Sequence, residues 1–220
     1  MKKMLFLMLA VLLTISLEAP FCMAAEITVT VDSKVGPWDW GSVLNSDYAY
    51  GINDHNSPVI IDETTGLSFA PGNKLTITYI SGTVKAGGSS RWSWVDANGD
   101  ASYVANGNKG SSGKYFPSKY MSNDWDTYLM ALVGTFTDAN GTIVGSPFEI
   151  GNGPITLEIP SGATQLQLGI NDDKFYDNEG SFTIKIEGAA VPIPGTIWLL
   201  GSVFVGLIGL KGKKNNFNVV

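Results

Sequence analysis

Residues Gln165–Glu187 read QLQLGINDDKFYDNEGSFTIKIE, and the rest of the chain is read outward from them. Gln165–Ile170 alternates polar and apolar side chains, and Ser181–Glu187 does so again, the period-two pattern of half-buried strands. The ten residues between them, Asn171–Gly180, hold Asp172, Asp173, Asp177, Asn178 and Glu179. Carboxylate and amide oxygens gathered so closely repel one another unless water or a cation intervenes. Hard cations such as calcium take about six to eight oxygen ligands from side chains of this kind and from backbone carbonyls nearby. On the residues alone two readings stay open: a solvated acidic hairpin loop, and a calcium loop.

The chain before this stretch has the same strand-and-turn character. Glu26–Val31, Val59–Ile61, Leu67–Phe69, Leu75–Ile80, Arg91–Val95, Ala101–Val104, Tyr128–Phe136, Phe148–Ile150 and Ile155–Ile159 read as short strands. Turn residues separate them, as at Ala70–Asn73, and the repeated Asp-Ala-Asn-Gly at Asp96–Gly99 and Asp138–Gly141 is read as hairpin turns. Gly51–Asp54 and Gly169–Asp172 share the wording Gly-Ile-Asn-Asp, without the fixed period a repeat architecture needs. About ten short strands with turns at close spacing predict an all-β domain, a β-sandwich or jelly roll. Helix is expected only at the two ends.

Of the 220 residues 44% are apolar, enough for a packed core. Between Glu26 and Ala190, nine basic residues face nineteen acidic ones, so the domain is more acidic than the whole-chain charge of −6 suggests. An acidic surface repels phosphate backbones and suits divalent cations and uncharged partners, so no nucleic-acid partner is expected. His55 is the sole histidine. A two-histidine zinc site is therefore ruled out, and no Gly-x-Ser-x-Gly elbow or phosphate-cradling glycine loop is present; spacing leaves open a carboxylate pair acting on glycosides, a small hydrolase being a third reading, while the expectation is no catalysis. Trp38 and Trp40, then Trp92 and Trp94, lie two apart and share a face if each pair sits on a strand. Such rings either fill a core or stack on sugar C–H faces.

The ends carry address signals. Met1-Lys2-Lys3 and the apolar run after it form a secretory signal peptide over residues 1–25, with cleavage after Ala24 or Ala25. Its removal takes away Cys22, the only cysteine, so an exported domain over 26–190 has no disulfide, and a bound metal is one alternative staple. At the other end Ala189–Gly195 is a proline-rich spacer. Thr196–Leu210 is apolar without a charge, and Lys211, Lys213 and Lys214 follow. Fifteen helical residues span about 22 Å, against a hydrocarbon core of about 30 Å. The lysines place that end in the cytoplasm and the acidic domain outside, with membrane attachment through the C-terminal helix.

Val191-Pro192-Ile193-Pro194, the hydrophobic helix beginning near Trp198–Ser202 and the basic end resemble a PEP-CTERM sorting segment over 191–220. Ile193 stands where that motif usually has Glu. The resemblance implies export in a bacterium that makes exopolysaccharide, recognition by an exosortase-type processing enzyme, and delivery to the outer surface or extracellular matrix. The order QLQLGINDDKFYDNEGSFTIKIEG, with PGNKLTITYISG and ALVGTF…FEI before it, resembles the bacterial galactophilic-lectin-like domain, a galactose-binding-type β-sandwich. That resemblance covers about Glu26–Gly188 and implies calcium in the closing loop, completed by sugar hydroxyls. Carried across, Asp172, Asp177 and Asn178 are the metal ligands, joined by a backbone carbonyl near Lys85–Gly87. The closing loop is two residues shorter here than in that pattern. Candidate carbohydrate contacts are His55 and Asp54, with Trp92 and Trp94 as stacking platforms. The expectation is a calcium-dependent, lectin-like binder of saccharide or exopolysaccharide; the alternative is a structural matrix or surface protein whose calcium only holds two strands together.

Overall fold

Alternating side chains bury one face of a strand, and two such faces closed on each other make a sandwich. The computed structural model of the chain describes residues 24–192, apart from 42–43, 88–89 and 122–125. The expected signal segment before residue 24 and the sorting segment after residue 192, with their two helices, lie outside the described residues. Ten strands run in order: β1 (Ala24–Asp32), β2 (Val59–Asp62), β3 (Lys74–Lys85), β4 (Asp100–Val104), β5 (Tyr128–Leu129), β6 (Leu132–Thr137), β7 (Phe148–Glu149), β8 (Ile155–Glu158), β9 (Gln165–Ile170) and β10 (Glu179–Ala189). They form an all-β, sandwich-like fold of antiparallel sheets, with strand orders β1-β10-β3-β8 and β2-β9-β6-β7 and a small β4-β5 pair.

In the first sheet Val31 pairs with Phe182 and Ile27 with Ile186, and Ile186 pairs in turn with Ile77, so apolar residues meet on one face. The opposite face carries Glu26, Lys185 and Glu187, where the lysine ammonium lies 3.0 Å from Glu187 and 3.6 Å from Glu26. The second sheet is different. Leu166, Leu168 and Ile170 pair with Phe136, Gly134 and Leu132 toward the first sheet, yet Val133, Thr135 and Gln167 on the other side are buried too.

Gly36 and Pro37, in the irregular stretch after β1, approach that outer side. Ile170 donates its N–H to the Val35 carbonyl at 2.9 Å. Gly169 permits this approach, because a Cβ there would run into the Gly36–Pro37 backbone. Trp38 is fully buried, with its ring 5.1 Å from that of Tyr50, and its indole N–H donates to the Tyr48 carbonyl. The first tryptophan pair thus belongs chiefly to the core, where truncation of such a ring costs about 3–5 kcal/mol.

Three strand expectations change. Leu67–Phe69 makes only a single bridge, Leu67 to Ala190, because Asp62 caps a short 3-10 turn over Glu63–Thr65 just before it. Arg91–Val95 is no strand: Val95 bridges Val84 and the residues before it leave the ladder. Tyr128–Phe136 splits at Met130, whose φ of 66° reverses the chain so that β5 joins β4 and β6 joins the main sheet. The Asp138–Gly141 turn closes a hairpin through the Thr137–Ile143 bridge. Asp96–Gly99 turns the chain from the Val95–Val84 bridge to β4, so its flanks do not pair with each other.

Candidate functional site

β9 and β10 belong to different sheets, so Asn171–Asn178 is no hairpin loop. It carries the chain from one sheet to the other, and Asn171, Asp172, Asp173, Phe175 and Asn178 are all buried. A buried connection must satisfy its backbone from neighbouring segments, and here those partners come from across the chain. The Asn171 side chain accepts the Ser118 N–H at 3.0 Å and donates to the Tyr128 carbonyl at 2.9 Å. The Asp54 carboxylate accepts the N–H groups of Phe175 and Tyr176 at 3.1 and 3.2 Å. Asp173 accepts the Ser112 N–H at 2.7 Å and thereby fixes the 110–112 turn against the loop. Asn178 donates to the Ser33 carbonyl at 3.0 Å and accepts the Gly87 N–H at 3.2 Å, joining the loop to both ends of the first sheet's neighbouring connections.

Asp172 stands at the centre of this arrangement with 4% of its surface exposed. Burial pushes its carboxyl up to about 8, and the adjacent Asp173 adds to the rise. The Asn178 side chain and the N–H groups of Asp173 and Lys174 oppose it without restoring the ordinary value. Asp177 carries a second carboxylate, with the Lys174 ammonium 3.2 Å away. Both carboxylates open onto a cleft of about 540 Å³ whose wall includes Ala86, Gly87, Trp92 and Asp173. That volume is within the usual range for small-molecule sites, about 300–1,000 Å³. Gly87 lies so close to Asp177 that a Cβ would run into its backbone carbonyl.

The Asp172 and Asp177 carboxylates at the cleft wall are oxygen donors of the kind a hard divalent cation such as calcium selects. An ion would also compensate a carboxylate whose burial otherwise disfavours its charge. Among the described residues no three His, Cys, Asp or Glu side chains gather as a metal cluster, so the carbonyl and amide oxygens must complete any such set. Among the same residues no helix is long and apolar enough to cross a membrane.

The sequence candidates divide between cleft and framework. Asp172, Asp177 and Trp92 line the cleft. Asn178 lies behind it, its amide already engaged with Ser33 and Gly87. Asp54 is spent on the loop backbone. His55 stacks on Tyr50 at 5.1 Å and meets Phe175 edge-on at 5.5 Å, and its side chain is only 3% exposed. Trp94 is 53% exposed, lies over Gly180 and is not part of the cleft wall, so the expected shared face with Trp92 does not form. The lost strand explains this: without a ladder, period-two spacing has no common face.

Residues that composition did not single out complete the wall. Arg91, Lys109 and Lys174 line the same cleft, and Phe116 and Leu129 close its apolar side. Arg91 is the chain's sole arginine, a signal that was present in the sequence but pointed nowhere until the fold placed it. No family model matches the chain, and no curated protein or solved structure matches it either.

Proposed function

We propose that the protein is an exported, surface-sorted, calcium-dependent carbohydrate-binding protein of lectin-like type, without catalysis, linked to exopolysaccharide or the cell envelope. The observation that carries this reading is Asp172: a buried carboxylate at the wall of a cleft, beside Asp177 and the backbone of Ala86–Gly87. Asp172, Asp177, Asn178 and a carbonyl of the 85–87 stretch would hold the ion. Calcium, when bound, supplies charge compensation and coordination positions that vicinal hydroxyls of a sugar can fill. Trp92 offers a ring at the same wall, and Asp54, Asp173 and Asn178 keep the loop in register with its neighbours. In this reading the β-sandwich is of galactose-binding type.

Surface sorting rests on the PEP-CTERM-like segment, with an exosortase-type enzyme as the processing partner.

A second reading, a matrix or surface protein with a purely stabilising calcium loop, draws on Asn178, whose side chain is engaged at both ends. Calorimetric titration with calcium followed by a glycan array with and without chelator separates the two. Lectin function predicts calcium binding, and glycan signals that vanish in EDTA. Calcium binding with an empty array leaves the stabilising role, and no calcium binding removes the site assignment altogether.

A further inference from the structure

The wording Asp-Ala-Asn-Gly occurs twice, and the residue that follows it separates the two copies. Asp96–Gly99 is followed by Asp100, whereas Asp138–Gly141 is followed by Thr142. Asn140-Gly141-Thr142 is thereby the sequence's only Asn-x-Ser/Thr tripeptide, the acceptor pattern for N-linked glycans on exported proteins. The chemistry needs those residue types. The asparagine amide supplies the nitrogen, and a hydroxyl two residues on gives the transferase a second polar group by which to hold it. Asp138, two residues before Asn140, adds a carboxylate that a cationic side chain of a bacterial transferase can grip. The structure treats the two copies differently as well. In the first, Ala97 is fully buried, Asn98 accepts the Asn152 N–H at 2.8 Å, and the Asn152 side chain donates to Asp96 at 3.0 Å. In the second, Ala139 and Asn140 are both exposed. The Asn45 side chain donates to the Gly141 carbonyl at 2.8 Å and accepts the Ile143 N–H at 3.0 Å, so this turn is held at its base and its tip is left to solvent. The Asn140 side chain meets the Asp138 carboxylate within the turn, a surface contact that water replaces at little cost.

Resting on the export proposed above and not on the calcium site, we propose that Asn140 is an N-glycosylation site, the acceptor of an oligosaccharide carried on a lipid diphosphate. The Asn140 Nδ2 forms a bond to the anomeric carbon as that carbon's bond to the diphosphate oxygen breaks. The lipid diphosphate leaves with the bonding pair, and one amide proton passes to solvent through a base of the transferase. Thr137, beside the turn, pairs with Gln165, and Leu132 at the other end of β6 pairs with Ile170, just before the crossing loop. Roughly 17 Å of extended strand separates those ends. The glycan is therefore attached at the end of the β6–β9 ladder away from the crossing loop.

The test expresses the full chain in a bacterial host supplied with an N-oligosaccharyltransferase and its lipid-diphosphate-linked glycan, followed by site-localised mass spectrometry of the exported protein. One glycan is expected, on Asn140, with Asn98 bare. Asn140→Gln and Thr142→Ala are expected to remove it, Thr142→Ser to retain it, and Asp138→Ala to lower its occupancy severalfold. The wild-type protein decides the matter by itself, so a variant that fails to fold does not. Exported protein without a glycan, a glycan elsewhere with Asn140 bare, or a glycan that survives both Asn140→Gln and Thr142→Ala overturns the inference. A chain that stays in the cytoplasm with its signal peptide uncut overturns the export reading instead. The purified protein, given the same transferase and glycan donor in detergent, then decides the modification separately: a glycan on Asn140 supports it and an unmodified chain overturns it.

Discussion

The turn Asp138–Gly141 and the loop Asn171–Asn178 are both short, both rich in Asp and Asn, and follow neighbouring strands of one sheet, β6 and β9. In the first, Asp138 accepts the N–H groups of Thr142 and Asn140 at 2.9 and 2.8 Å, which hold its carboxyl below the usual carboxylate range. In the second, Asp172 is buried and its carboxyl is pushed up to about 8. The same side chain is shifted in opposite directions. The difference comes from where the chain goes next: the turn returns to its own sheet and stays in water, whereas the loop crosses to the other sheet and is covered from several sides. Density of acidic residues therefore does not set a carboxylate's environment. Burial of the crossing does.

The contrast is sharpest in the absence of calcium. Asp172's folded-state value lies above its unfolded value, so the folded protein holds the extra proton between about pH 4 and pH 8, and stability falls as pH rises through that window. Thermal unfolding in EDTA should show this decline, saturating calcium should flatten it, and Asp172→Asn should remove it, with a gain of a few kcal/mol at pH 8 in chelator. A flat profile for the chelated wild type would sink the account of a buried, uncompensated carboxylate.

A smaller effect is expected at the wall. In Gly87→Ala the new Cβ meets the Asp177 carbonyl, so the loop or the 85–87 stretch must shift. The expected cost is about 1–3 kcal/mol with calcium affinity weakened about tenfold or more. Titration calorimetry that finds an unchanged calcium affinity would show that the 85–87 backbone is no part of the site.

The smallest effect belongs to the turn. Asp138→Ala should cost less than about 1 kcal/mol at neutral pH, since its hydrogen bonds are exposed to water. Because its folded-state value is depressed, that contribution is present above the unfolded carboxylate value and is lost as pH falls through the folded one. Calcium should not alter it. Denaturant unfolding at pH 7 and pH 3, with and without calcium, checks all three points, and a calcium-dependent loss here would erase the distinction between the two loops.

Much of the fold was legible because period-two alternation is a local signal. β1, β2, β4, β9 and β10 stand close to where EITVTV, VII, ASYV, QLQLGI and SFTIKIE place them. RWSWV was not legible, since alternation without a partner strand makes no ladder. The break at Met130 was hidden as well, because its positive φ is imposed by neighbours: Met130 donates to the Asn171 carbonyl and Asn171 donates to that of Ala131. Of the candidate residues, Asp172 and Asp177 come to one cleft wall, a juxtaposition that two carboxylates five residues apart in one loop allow. That Asp54 accepts loop N–H groups and His55 packs against Tyr50 and Phe175 was not legible, because an Asp-His pair in a loop looks the same whether it faces a ligand or supports a backbone.

The sequence by itself determined the strands, the acidic closing loop and the imbalance of charge, since each depends on residues adjacent in the chain. Only the tertiary structure decided that the loop changes sheets, that Asp172 is buried beside Asp177, and that Arg91 and Lys109 share its cleft. Those facts depend on which strand lies beside which. That choice is made by long-range burial of one apolar face against another, and no local pattern records it.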